Sequence, residues 1–318
     1  MPGANASKPI VVVGDVIVDV IVRPRGARAP DSDTPASIER RPGGSGANVA
    51  AWLGQLGAPV RFAGRAGAAD RAERAAELAA AGVDVRLAAD PDRPTGAIVV
   101  VVGEDGERAM FTDRGANEAL TAGDLPPSLL DGAALLHVSG YALFAPGPRA
   151  AALGLMAAAI ERGIPISVDC ASESFLRDAS EFADWIAGAT VCFANADEAA
   201  VLTGQDDPAA AAAVLAERHA VVALKRGGDG AIVTEGVRPL TERGQTPSGK
   251  GSEPVAPLSL PAVAATLVDP TGAGDAFCAG FLARWVGGAD LAACAHAALE
   301  TAAAAIAQPG GRPTPSPG

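Results

Sequence analysis

Asp269-Pro270-Thr271-Gly272-Ala273-Gly274-Asp275-Ala276-Phe277 is the stretch on which the reading of the whole chain turns. The apolar run before it, residues 261–268, contains β-branched residues and is short enough for a buried strand. After it, residues 276–286 place Phe277, Phe281 and Trp285 at helical spacing. The nonamer therefore reads as a strand, a glycine turn and a helix. Gly272 and Gly274, on either side of Ala273, let a ligand approach the backbone, and the free N–H groups of a helix start favour an anion. A phosphate is the natural guest.

Asp275 makes the stretch informative, because a plain phosphate cradle gains nothing from a carboxylate at the anion site. A phosphotransferase needs one there, to take a proton from an attacking hydroxyl while the amides stabilise the transferred group. The competing reading is an Asp that caps its own helix. Two other glycine motifs are excluded. No G-x-x-x-x-G-K-[ST] occurs, and Phe277 stands where G-x-G-x-x-G needs its last glycine.

A chain of 318 residues, 49% hydrophobic, can bury a large core, as one domain or one with a small appendage. Aromatics are only 4%, so packing must rest on alanine and aliphatic side chains. The 37 acidic against 25 basic residues give a net charge of −12, which argues against nucleic acid as a partner. Cys170, Cys192, Cys278 and Cys294 show no CxxC spacing and lie in apolar runs, as reduced core thiols of a cytoplasmic protein would. Residues 1–8 lack an apolar signal core, and no stretch has the length and apolarity of a membrane span.

Residues 10–13 read as a buried strand, and 16–22 as a second apolar run interrupted by Asp19. Residues 23–41 are polar and Pro-rich, a loop or the edge of a small sheet. Strands are expected at 60–63 and 83–87, with helices from 42–50 onward to Gly57 and at 71–81. Between 95 and 117 the rhythm changes: 97–102 and 108–112 form two strands joined by a turn at 103–106, without an intervening helix. Thereafter strands at 134–138, 164–168, 190–193, 220–224 and 231–234 alternate with helices at 149–161, 178–187, 196–203, 208–218 and 290–307. Such alternation builds a parallel sheet covered by helices on both faces, with ligands beyond the carboxyl ends of the strands. Residues 237–257 read as a low-complexity surface insertion, and 310–318 as a tail that frays.

Pro42-Gly43-Gly44-Ser45-Gly46-Ala47-Asn48 is a second glycine turn opening a helix. Gly43 and Gly44 would let a ligand lie on the backbone, and Asn48 offers a donor and an acceptor suited to sugar hydroxyls; an ordinary helix entry is the alternative. Asp19, among Val and Ile, needs partners that polyol hydroxyls supply, unless it faces solvent at a strand end. Asn195 and Glu198 could organise Mg²⁺ near a polyphosphate or form a capping box. Lys225-Arg226-Gly227-Gly228-Asp229-Gly230 suits phosphate oxygens or is a tight hairpin. His137, His219 and His296 read as structural.

With both glycine sites quoted, the sequence resembles the PfkB/ribokinase-like carbohydrate kinases over nearly its whole length. Residues 42–49 resemble the family's N-terminal signature and 269–277 its C-terminal one, with Asn195-x-x-Glu198 and Lys225-x-Gly227-Gly228-x-Gly230 in the family's order. The resemblance implies one three-layer α/β/α domain with a mostly parallel sheet over 1–318, and a small β-sheet lid from 15–41 and 95–113. It implies ATP-dependent transfer to a hydroxymethyl group, with Asp275 as general base and the amides of Gly272, Ala273 and Gly274 as anion hole. By the same resemblance Asp19, Gly43, Gly44 and Asn48 hold the sugar, with Tyr141 near it. Asn195 and Glu198 organise Mg²⁺, Lys225, Gly228, Gly230 and Thr271 lie along the nucleotide, and Asp269 with Thr271 begin a monovalent-cation (K⁺) loop.

The chain departs from that pattern at Pro270, often Thr in the family. At Ile17 ribokinase has Asn, and the loop at 308–312 is shorter. A mid-chain sugar-binding Glu has no counterpart, Ser139-Gly140-Tyr141 lying there instead, and the stretch 114–117 offers Arg114. The implied activity is a sugar kinase. A nucleoside kinase of the adenosine or pseudouridine type is the alternative, a sugar sensor without catalysis a third, and a homodimer through the lid is a further implication.

Overall fold

Ile10-Val11-Val12-Val13 has no polar side chain because the strand it forms is covered on both faces. The computed structural model describes residues 7–27, 31–103, 107–236 and 257–314. Its strands are, in chain order, β1 (Ile10–Val13), β2 (Ile17–Pro24), β3 (Ala36–Gly43), β4 (Val60–Gly67), β5 (Asp84–Asp90), β6 (Thr95–Val102) and β7 (Arg108–Gly115), then β8 (Leu135–Ser139), β9 (Ile166–Asp169), β10 (Val191–Asn195), β11 (Val221–Lys225), β12 (Ala231–Glu235) and β13 (Leu258–Leu260). The helices are α1 (Ser45–Gln55), α2 (Arg71–Ala80), α3 (Pro146–Glu161), α4 (Glu173–Arg177), α5 (Phe182–Trp185), α6 (Ala196–Thr203), α7 (Pro208–Ala216), α8 (Ala273–Trp285) and α9 (Leu291–Ile306).

Nine strands form one sheet in the order β13-β12-β11-β10-β9-β8-β1-β4-β5. All pairs are parallel except those of β12 with β11 and β13. Side chains alternate between two cores: Ile10 and Val12 pack with Leu53 of α1, Phe281 of α8 and Leu299 of α9. Val11 and Val13 pack on the opposite face with Leu155 of α3 and Leu215 of α7. The expected three layers follow, and Phe193, 5.3 Å from Phe281, is one of the few aromatic anchors in an alanine-rich interior.

Four further strands form a separate small sheet, β3-β2-β6-β7. Its period of two sends Ile17, Asp19 and Ile21 of β2 toward the large sheet's carboxyl ends, where Ile17 and Asp19 line a cavity. The other face carries Val18, Val20 and Val99, with Ile38 and Phe111 67% and 63% exposed.

Three expectations fail. Residues 261–268 are not a buried strand: pairing ends at Leu260, and Leu267 and Val268 are exposed. The helix expected at 178–187 shrinks to the one-turn α5, with α4 ending before it at Arg177, because the N–H groups of Ala179 and Phe182 bond three residues back rather than four. The tail expected to fray at 310–318 is buried at Gly310, Gly311 and Arg312, where Trp52 Nε1 donates to the Gly311 carbonyl at 3.0 Å. The turn at 104–106, the insertion at 237–256 and residues 315–318 lie outside the described residues.

Candidate active site

Gly272 ends the approach to α8 in a left-handed conformation, φ 75°, that a side chain would resist, and a Cβ there would lie 2.5 Å from Gly311 Cα. No side chain caps α8; the Ala273 N–H reaches back to the Pro270 carbonyl at 3.3 Å, and the Gly274 N–H at the start of the helix is open to a ligand. Asp275 does not cap its helix. Its Oδ1 accepts from Ser45 Oγ and its Oδ2 from Asn48 Nδ2, both at 2.8 Å. Burial pushes this carboxyl up to about 7 and Asp169 adds repulsion, while the bonds from Asn48 and Ser45 and the charge of Lys225 pull it down.

Ser45 and Asn48 both stand on the first turns of α1, so the two glycine motifs meet at one carboxylate. Gly43 leaves the space that the Asp19 carboxylate fills, and its carbonyl accepts from Arg312 Nη2 at 2.8 Å. Gly44 and Asn48 line a cavity of about 630 Å³; Gly43 does not. Asp19 lines it from β2, 7% exposed, with no hydrogen-bond partner among the described residues. Burial raises its carboxyl to about 6, against the pull of Arg312 and with repulsion from Asp269. Tyr141 and Phe175, edge to face at 5.6 Å, form another wall. Arg114 also lines this space but is bound to both oxygens of Asp15, at 2.9 and 2.7 Å.

A second cavity of about 720 Å³ lies on the other side of Asp275. The two share Ser45, Tyr141, Gly272 and Asp275, so this carboxylate stands where they meet. Asn195 and Glu198 line the second cavity while forming a capping box: each backbone N–H donates to the other's side chain at 2.8 Å. Burial pushes Glu198 up to about 8, with Lys225 pulling the other way. Lys225 Nζ donates to Asp169 Oδ1 at 2.6 Å, beside Gly274. Burial opposes the ammonium charge, and the neighbouring Asp169 holds it well above its ordinary range. Gly228 opens onto the cavity; Gly230 lines it too, where the Leu260 carbonyl leaves no room for a Cβ.

The apolar run at 262–267 finds its place here. Val263, Ala265 and Leu267 wall the second cavity, which explains why they are exposed rather than packed in a sheet. Thr271 lines the first cavity and not the second. Asp269 is held by its neighbours, and those bonds bring its carboxyl down to about 2 against the effect of burial. His137 lies within β8, wholly buried, with Nδ1 2.9 Å from Ser167 Oγ. Ser45, Asp169, Arg108 and Arg312 are the site residues that sequence reasoning missed. Ser45 stood inside a quoted motif and Asp169 at the carboxyl end of an apolar run; the two arginines carried no signal.

The family model described as pfkB family carbohydrate kinase matches residues 7–317. An ATP-dependent ribose-1-phosphate kinase from Halopiger xanaduensis is 32% identical over 308 residues, covering 95% of this chain and 92% of that protein. The bifunctional protein HldE of Azorhizobium caulinodans is 31% identical over 318 residues; 95% of this chain matches 61% of that longer protein. Among solved structures, a probable sugar kinase protein from Rhizobium etli CFN 42 superposes with a TM-score of 0.82 at 25% identity, covering 97% of this chain and 96% of that one.

Proposed function

The chain belongs to the pfkB family of carbohydrate kinases, and from that premise we propose that it moves the γ-phosphoryl group of ATP to the hydroxymethyl group of a neutral sugar or nucleoside. One observation carries this reading: the Asp275 carboxylate stands where the two cavities meet, held by Ser45 and Asn48 and raised to about 7. A base of that strength is half deprotonated near neutrality, close to the optimum for taking a hydroxyl proton. Asp275 takes the proton, the hydroxyl oxygen forms the new bond to phosphorus, and the bond to the β-phosphate oxygen breaks to release ADP. The amides of Gly272, Ala273 and Gly274 stabilise the charge on the transferred group.

ATP fits the second cavity, whose apolar run at 262–267 suits a base and whose Lys225, Gly228 and Gly230 suit phosphates. Glu198 and Asn195 fit a hydrated Mg²⁺: a buried carboxyl held near 8 is short of positive charge, and Mg²⁺ keeps waters and phosphate oxygens as ligands. The ion would supply neutralisation of the polyphosphate. Asp19, Asn48 and Gly44 would hold the sugar, with Tyr141 beside it.

The lining favours a neutral acceptor over a phosphorylated one. Asp15, Asp19 and Asp275 face this space against Arg114, whose guanidinium is already bound to Asp15. A nucleoside is the second reading, because Ile98, Val100, Phe175 and Tyr141 offer more apolar wall than a bare sugar needs. A sensor without catalysis gains nothing from Asp275. The outer face of the small sheet, with Ile38 and Phe111 exposed, supports a homodimer formed through it, and the free buried thiols of Cys170, Cys192, Cys278 and Cys294 support a cytoplasmic setting. ADP release across a panel of sugars, ribose-1-phosphate and nucleosides tests the reading. Turnover of neutral alcohols supports it; turnover of ribose-1-phosphate alone overturns the substrate class, and no turnover of any of them overturns the kinase.

A further inference from the structure

Asp269 lies just ahead of the glycine turn, and its carboxylate is met by Thr271 of its own turn and from two distant parts of the chain. Oδ1 accepts from the Thr271 N–H at 3.0 Å, the Thr271 hydroxyl at 2.7 Å and Arg108 Nη2 at 3.0 Å. Oδ2 accepts from the Gly310 N–H at 3.0 Å. Arg108 uses its other terminal nitrogen too, Nη1 donating to Thr271 Oγ1 at 3.0 Å. The Asp269 side chain is 6% exposed and that of Arg108 25%. Arg108 opens β7 of the small sheet, whereas Asp269 and Thr271 belong to the turn that starts α8.

The family resemblance implies a monovalent cation on Asp269 and Thr271, and the residues present do not fit one. The charge of Asp269 is already matched by a guanidinium, and the Thr271 hydroxyl both donates to that carboxylate and accepts from Arg108. A free ion placed there would face a positive charge at contact distance in a nearly dry site, where like charges repel strongly. The guanidinium also does what a spherical ion cannot. Its planar fork makes one bond to each of two groups, so it fixes direction as well as charge.

We propose that Arg108 is the cation of this loop: a guanidinium delivered by the small sheet sets the Asp269–Gly272 turn, so the anion hole forms without K⁺ and is tied to the seating of that sheet. Arg108 is thus a positioning residue, acting through Asp269 and Thr271 on the amides of Gly272 to Gly274. The inference rests on the proposed kinase reading for its activity arm alone.

The experiment compares the wild-type chain with Arg108→Ala and Arg108→Lys in KCl and in tetramethylammonium chloride, reading both melting temperature and ADP release. A bound ion raises the melting temperature of the form that binds it. The wild type is expected to melt and turn over alike in the two salts. Arg108→Ala, with Asp269 uncovered, is expected to melt higher in KCl and to turn over about 10–100-fold more slowly, the loss typical of a misplaced catalytic group. Low, non-denaturing guanidinium or K⁺ restores part of that rate, whereas Arg108→Lys keeps the charge but loses the fork and falls between. A wild type that melts higher or runs several-fold faster in KCl overturns the proposal. So does an Arg108→Ala protein that matches the wild type, or one that is slow yet indifferent to both cations. If no substrate is found and the kinase reading fails, the melting comparison still decides the role of Arg108.

Discussion

The side-chain amide of Asn48 donates a 2.8 Å hydrogen bond to Oδ2 of Asp275, joining residues 227 apart in the sequence. With Ser45 on Oδ1, it fixes the carboxylate before any substrate arrives and leaves lone pairs on both oxygens for an incoming hydroxyl. The carboxylate proposed as the base is therefore oriented by α1 rather than by its own helix.

Asp275→Asn keeps the shape of the side chain and removes its basicity. Turnover in an ADP-release assay is expected to fall about 10²–10⁴-fold, with nucleotide affinity by calorimetry nearly unchanged. A variant within about twofold of the wild-type rate would remove Asp275 from the chemistry, since twofold is far below any general-base contribution.

The rate should depend on pH through the same group. Asp275 is held at about 7, so kcat/KM is expected to fall as pH drops through that value and the base becomes protonated. Ser45→Ala deletes a bond that favours the ionised form, so the acid limb is expected to move to higher pH. A pH–rate profile that stays put in this variant contradicts the link between Ser45 and the base.

Stability without ligands should run the opposite way. Asp19, Asp275 and Glu198 are raised by burial to about 6, 7 and 8, above their unfolded values. Each therefore contributes stability that is complete below its unfolded value near 4 and is lost as pH rises through 6 to 8. Asp269, lowered to about 2, loses its contribution only in strong acid. The ligand-free melting temperature is expected to decline from pH 5.5 to 8, and less so in Asp275→Asn; a flat or rising curve would count against these buried charges.

The small sheet's outer face gives a prediction about assembly. Phe111 and Ile38 lie exposed beside the half-buried Val18, Val20 and Val99, a patch that a second copy would cover. Sedimentation is expected to show a dimer for the wild type and a monomer for Phe111→Asp. A wild type that sediments as a monomer at high concentration rules out this contact.

Much of the fold was legible because strands buried on both faces must be written as unbroken apolar runs, as at Ile10 to Val13. Asp275 was legible because a charge inside a glycine turn lacks an easy structural reason. Residues 261–268 were misread because an apolar run looks the same whether it fills a sheet or walls a cavity; only the third dimension separates the two. The break between α4 and α5 was invisible, since Asp178-Ala179-Ser180-Glu181 contains neither glycine nor proline to mark it. Arg108 and Arg312 could not be assigned because their partners lie more than 150 residues away, at Asp269 for one and at Gly43 and Asn48 for the other.

The segment Gly310-Gly311-Arg312 is threaded behind the acceptor cavity, with Gly310 on Asp269, Gly311 on Trp52 and Arg312 on Gly43. During synthesis this piece leaves the ribosome after every strand and helix described above, so the rear of the proposed acceptor cavity is the last part able to close. A chain clipped just before residue 310 would lose the partners of Asp269, Trp52 and Gly43 and leave the proposed acceptor cavity open at its rear.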